Sequence, residues 1–213
     1  LLAFIGQTYQ TGADAWQLFA VWAVLALPWT VVAAKDGLWA LWLVIAATGL
    51  GFWCSVQLNL FGIFSPGLAG LWPQLLLWLP LWLLPGGLPH FKVCAIAQPR
   101  ISRAVGAGVA LGAWAGFGVM AVLQRDADWA VFGLASVLVA AVVAAAWRKR
   151  NILVLGLGLM AANALWLVAA GHYLFGTLDW AGTGAFSLMT LVIAASVGAS
   201  AHGLYRLQKE GAV

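Results

Sequence analysis

Apolar residues fall in long runs along this chain, separated by short clusters of charge, proline and glycine. Seven such runs, at 15–34, 38–56, 68–84, 102–123, 129–147, 152–170 and 182–205, come close to the roughly 20 residues that a helix needs to cross a hydrocarbon layer about 30 Å thick. The pattern predicts an all-α, polytopic transmembrane helix bundle of about seven spans, forming a single integral membrane domain over 1–213. Leu1 to Gly6 is apolar but too short to cross, and reads as the outgoing end of a truncated preceding helix. The longest connection, at 85–101, carries Pro85, Gly86, Gly87, Pro89 and Pro99, which argues against a regular helix over most of it.

Composition narrows the class further. The 213 residues are 64% hydrophobic and 8% charged, with a mean hydropathy of +0.99, whereas about a quarter of a soluble domain is charged. A soluble enzyme, a disordered tail and a nucleic-acid binder are excluded, and membrane lipid is the expected partner. The net charge of +4 is explained first by insertion topology. Sorted by loop, Lys35, Lys92, Arg100, Arg103, Arg148, Lys149, Arg150, Arg206 and Lys209 fall on one side and Arg125 alone on the other. The excess predicts a cytoplasmic C-terminus. Trp16, Trp53, Trp129 and Trp180 near outer ends, and Trp39, Trp42, Trp82 and Trp147 near inner ends, read as interfacial belts.

No Lys, Arg, Asp or Glu stands mid-span, where an ionisable group marks an ion path or proton relay. There is no mid-span Lys for a Schiff base and no mid-span His pair for a haem iron, so no cofactor is expected. His90 and His172 read as loop residues and His202 as near an inner end; H-E-x-x-H, G-x-S-x-G and a P-loop are absent. No catalytic residue is assigned. Cys54 and Cys94 are expected about a membrane thickness apart, too far for a disulfide. The outer side collects Gln7, Tyr9, Gln10, Asp14, Asp126, Asp128, His172, Tyr173 and Asp179. Asp14, Asp128 and Asp179 each precede an apolar run, as helix caps do, and Asp14 with Gln17 resembles a capping box. His172, Asp179 and Asp14 form an acceptable ligand set without metal-site spacing, so no metal is assigned.

Two ridges of small residues stand out: Gly108, Gly112 and Gly116 in the fourth span, and Ala195, Ala199 and Gly203 in the seventh. Such ridges let helices approach closely in lipid. They are expected to pack on each other or to form oligomer surfaces. Pro73 and Pro80 in the third span free backbone carbonyls that neighbours must satisfy or a cavity must expose, and Gln74 lies beside Pro73. Gln7, Tyr9, Asp14, Gln17, Pro73, Gln74, His172 and Asp179 are therefore the candidate ligand-binding residues.

The stretch from Gly6 to Trp29, GQTYQTGADAWQLFAVWAVLALPW, resembles the prokaryotic predicted membrane proteins of the domain of unknown function 2157 family. Gly6, Gln7, Tyr9, Gly12, Asp14, Trp16, Leu18 and Phe19 carry the likeness, together with the ALALPW run; Gln10 and Ala13 depart from the family pattern. The resemblance implies a bacterial inner-membrane protein with earlier helices, and it implies no activity. Three functions remain open: a non-enzymatic protein binding or moving a small apolar or amphipathic molecule, with a cavity beside Pro73 and Gln74; a structural or assembly subunit or homo-oligomer with an outward ridge; and an enzyme acting on lipid through His172, Tyr173 and Asp179.

Overall fold

The computed structural model describes residues 14–57, 75–87, 99–123, 128–176 and 183–211. They form seven helices: α1 (Ala15–Ala33), α2 (Asp36–Gln57), α3 (Leu79–Gly87), α4 (Ile101–Leu123), α5 (Trp129–Arg148), α6 (Ile152–Gly176) and α7 (Thr183–Gly211). No strand occurs among the described residues. All but α3 are long and apolar enough to cross a membrane. A segment in hydrocarbon must satisfy its own backbone N–H and C=O groups, and the helix does so within one segment. The protein is a helical membrane protein.

Of the third expected span, residues from Leu75 onward are described, and they are helical with a break at Trp78. Pro80 has no N–H to donate and crowds the preceding turn, which accounts for the break. Helix α6 continues past Ala170 to Gly176, so His172 and Tyr173 lie on a helix and not in a loop; glycine and aromatic residues at the interface did not end the hydrogen-bond ladder. Helix α7 runs to Gly211 and carries Arg206 and Lys209 within it. Lys209, in the last turn, complements the negative end of the helix dipole.

The described residues form two compact units, one within Leu1–Pro66 and Leu79–Val109, the other within Gly67–Trp78 and Ala110–Val213. In the first, α1 and α2 make a hairpin around Ala34 and Lys35. Ala34 takes the left-handed conformation (φ 48°) and donates its N–H to the Thr30 carbonyl. Phe19 stacks on Phe52 with centroids 5.5 Å apart, and the Trp42 indole donates to the Ala23 carbonyl at 2.8 Å. Trp39 is buried against Val31, Ala34, Trp42 and Leu84. Trp39 and Trp42 thus pack within the unit.

Helix α4 begins on a carboxylate from far along the chain. Asp36, the first residue of α2, accepts the backbone N–H of Arg100 (2.9 Å), Ile101 (2.6 Å) and Ser102 (3.0 Å), and the Ser102 hydroxyl (2.5 Å). The first N–H groups of a helix have no partner within it. Asp36 supplies that partner across 64 to 66 residues of chain, and Ser102 is fully buried beneath it. One turn on, Gly106 lies so close to α3 that an added Cβ would stand 2.5 Å from the Leu81 carbonyl oxygen.

In the second unit, Trp114 is fully buried and its indole donates to the Leu75 carbonyl at 2.7 Å, beside the Trp78 break. Asp128 caps α5, accepting from the N–H groups of Ala130 and Val131 at 3.2 Å each, as the sequence suggested. Ala135, Val139, Val142 and Ala146 bury one stripe of α5. A Cβ at Gly118 would collide with Leu165 and press on Ala135, and one at Gly158 would meet Val143. The half-buried Asn163 donates to Ser200 at 3.2 Å, tying α6 to α7 through a polar contact between helices.

Gly106→Ala is expected to lower the thermal unfolding midpoint in detergent by an amount equivalent to about 1–3 kcal/mol, since backbone must shift to admit the methyl group. Gly133→Ala, where an added Cβ meets nothing within 4 Å, is expected to leave the midpoint unchanged or raise it. Asp36→Ala is expected to cost about 1–3 kcal/mol by the same measurement, and Asp36→Asn, which keeps one acceptor oxygen, to fall between it and the native chain. An Asp36→Ala midpoint equal to the native one would remove the clamp from the account of how α4 starts.

Candidate functional site

Of the candidate ligand-binding residues read from the sequence, Asp14, Gln17 and His172 fall among the described residues. Gln7, Tyr9, Pro73, Gln74 and Asp179 lie outside them, as does the cavity expected beside Pro73 and Gln74. Asp14 is exposed at the start of α1, but its side chain makes no cap; it accepts the Trp16 indole N–H at 3.3 Å. Only the Asp14 carbonyl meets the N–H of Gln17, so the expected capping box is not formed. A nearby indole N–H competes for the carboxylate that the backbone would otherwise hold. Gln17 is exposed, His172 half-buried and Tyr173 exposed. As adjacent helical residues, His172 and Tyr173 point about 100° apart. No three His, Cys, Asp or Glu side chains come together among the described residues.

The two small-residue ridges do not clasp each other. Gly112, Gly116, Ala195 and Ala199 are exposed, Gly108 and Gly203 half-buried, and an added Cβ at Gly112, Gly116 or Gly203 meets nothing within 4 Å. The close approaches on α4 use Gly106 and Gly118, on a different stripe. Small residues cover several faces of this helix, and spacing alone did not say which face would be buried.

A groove of about 430 Å³ lies between α5 and α6. Ser136, Val139, Ala140, Val143, Ala144, Trp147 and Arg148 line it from α5, and Leu159, Ala162, Leu165 and Trp166 from α6. Its volume falls within the range of small-molecule sites. On α5 the lining residues recur at helical spacing along one side, and alanines at 140, 144 and 162 leave the space that larger side chains would fill. Gly158 brings α6 against Val143 beside it, so the groove results from a tight crossing flanked by small residues.

The wall is apolar between two polar points. Arg148 stands at one end. At the other, the Ser136 hydroxyl is buried without a hydrogen-bond partner, like the indole N–H groups of Trp39 and Trp78, but it alone of the three lines the groove. A helical serine ordinarily satisfies itself on a carbonyl of the preceding turn, as Ser200 does on Ser196. The sequence holds a signal for this site: Ser136 is the one polar residue between Trp129 and Trp147, and three consecutive cations, Arg148 to Arg150, stand where the helix ends.

The basic end has a defined shape. The N–H of Asn151 donates to the Ala146 carbonyl at 3.0 Å and that of Arg150 to Trp147 at 3.1 Å, the pattern of a Schellman motif. Arg150 sits at the left-handed position of that motif, φ 50°, where glycine is the usual occupant. Asn151 then caps α6, its side chain accepting the Val154 N–H at 3.3 Å. The turn therefore fixes the backbone that carries Arg148, Lys149 and Arg150, of which Arg148 lines the groove.

No curated protein and no solved structure matches the chain. Residues 1–39, which take in α1 and the first turn of α2, match the model of a family described as "Predicted membrane protein (DUF2157)", the family that the Gly6 to Trp29 stretch resembles.

Proposed function

We propose that this chain is a non-enzymatic, multi-pass protein of the bacterial cytoplasmic membrane, with its C-terminus and basic loops on the cytoplasmic side, that binds a small amphipathic molecule between its helices. The groove between α5 and α6 carries this reading: a long apolar wall with a cation at one end suits a molecule with one polar end. The lopsided distribution of Lys and Arg supports the orientation. Native mass spectrometry of the protein released in mild detergent is expected to retain an added mass of a few hundred daltons, of the order of a small ligand. Filling the groove with Ala140→Phe or Ala162→Phe is expected to cut the occupied fraction about tenfold, equivalent to about 1.4 kcal/mol. Retention unchanged in both variants would refute the reading.

The exposed ridges favour a second reading, in which the same protein is a subunit of a homo-oligomer or larger membrane complex. Gly112, Gly116, Ala195 and Ala199 offer close-approach surfaces that this chain leaves open. Gly112→Leu is then expected to shift the assembly toward monomer in native mass spectra, leaving retention of the small ligand intact. A monomeric native protein would dismiss this second reading.

A further inference from the structure

We infer that the α5–α6 groove holds one acyl chain of an anionic phospholipid whose phosphate sits at Arg148 and the turn that follows. The inference rests on the groove being a binding site, as proposed above, and adds what it binds.

Depth is the first argument. From Arg148 to Ser136 the groove follows α5 for roughly 18 Å, at 1.5 Å per residue. One leaflet of a hydrocarbon core is about 15 Å deep. The groove thus starts at a helix end, where lipid headgroups lie, and runs inward by about the depth of one leaflet. That is the path of a lipid chain lying along a helix.

Charge is the second. Arg148 lines the groove, and Lys149 and Arg150 follow it in the turn. Among the described residues no carboxylate pairs with any of the three. A guanidinium binds phosphate through two parallel hydrogen bonds, and basic pockets between helices at the cytoplasmic face hold anionic headgroups. Trp147, also on the groove and half exposed at 51%, places an indole at the same level.

Backbone conformation is the third. Topology requires cations near the helix end but no particular conformation for them. Arg150 occupies a left-handed position where glycine would be more stable. Arginine there fits a local demand for positive charge at the mouth of the groove.

The test is a titration of the purified full chain with phosphatidylglycerol and with phosphatidylcholine of identical acyl chains, bound lipid being counted by native mass spectrometry. Phosphatidylglycerol is expected to bind at least about fivefold more tightly, the effect of one cation at an anionic surface. Arg148→Gln is expected to reduce that preference about fivefold, and about 1 M salt to reduce it in the native protein. Arg150→Gly separates binding from folding: it is expected to lower the preference while raising the unfolding midpoint, whereas a purely structural role for Arg150 moves the midpoint alone. Ala140→Phe is expected to cut retention of both lipids about tenfold. Equal binding of the two lipids, still weakened by Ala140→Phe, overturns the anionic assignment and leaves the groove a binding site. A preference that survives both Arg148→Gln and Arg150→Gly overturns the assignment as well, since the headgroup is then held elsewhere. Retention of both lipids unchanged by Ala140→Phe overturns the groove itself.

Discussion

A backbone group inside hydrocarbon has no water to fall back on, and each place where a helix starts, bends or breaks has to find a partner from elsewhere in the protein. The Asp36 carboxylate does this for α4, gathering three N–H groups and a hydroxyl at the point where the chain re-enters helical geometry. The Trp114 indole reaches the Leu75 carbonyl beside the Trp78 break, and the Trp42 indole reaches the Ala23 carbonyl on the neighbouring helix. In each case a side chain distant in sequence is held by a backbone group of another segment. The hydrogen bonds therefore do more than satisfy donors: they set which helices are neighbours.

Between neighbours, packing is decided by the absence of side chains. Gly106 against Leu81, Gly118 against Leu165 and Gly158 against Val143 are points where a single methyl group would not fit. Dispersion contacts at such crossings hold helices together in a solvent as apolar as their own surfaces. Where alanine lies beside the crossing without a large partner, as at 140, 144 and 162, space is left over. The groove between α5 and α6 is the outcome of the same close approach that stabilises the hairpin.

The hairpin also places opposite chemistries in sequence along one path. Its turn concentrates three cations within a Schellman motif, and the helix leading away from it is apolar as far as Ser136. An amphipathic occupant would meet charge at the interface and hydrocarbon below, the order in which a bilayer itself is built. Arg150, in a conformation that suits glycine better, is the local cost of keeping charge at that mouth.

The helices were legible because periodicity hardly matters in lipid: a run of about 20 apolar residues must cross as a helix whatever its neighbours. Asp128 was legible for a local reason, since a cap acts on its own helix two and three residues away. Asp14 stands in the same sequence setting and does not cap, because Trp16 takes its carboxylate. The Asp36 clamp, the stripe of α4 that is buried and the groove beside Gly158 depend on which helices meet and at what rotation. With apolar and small residues on every face, sequence spacing carries almost no information about rotation, and contacts between helices alone determine it.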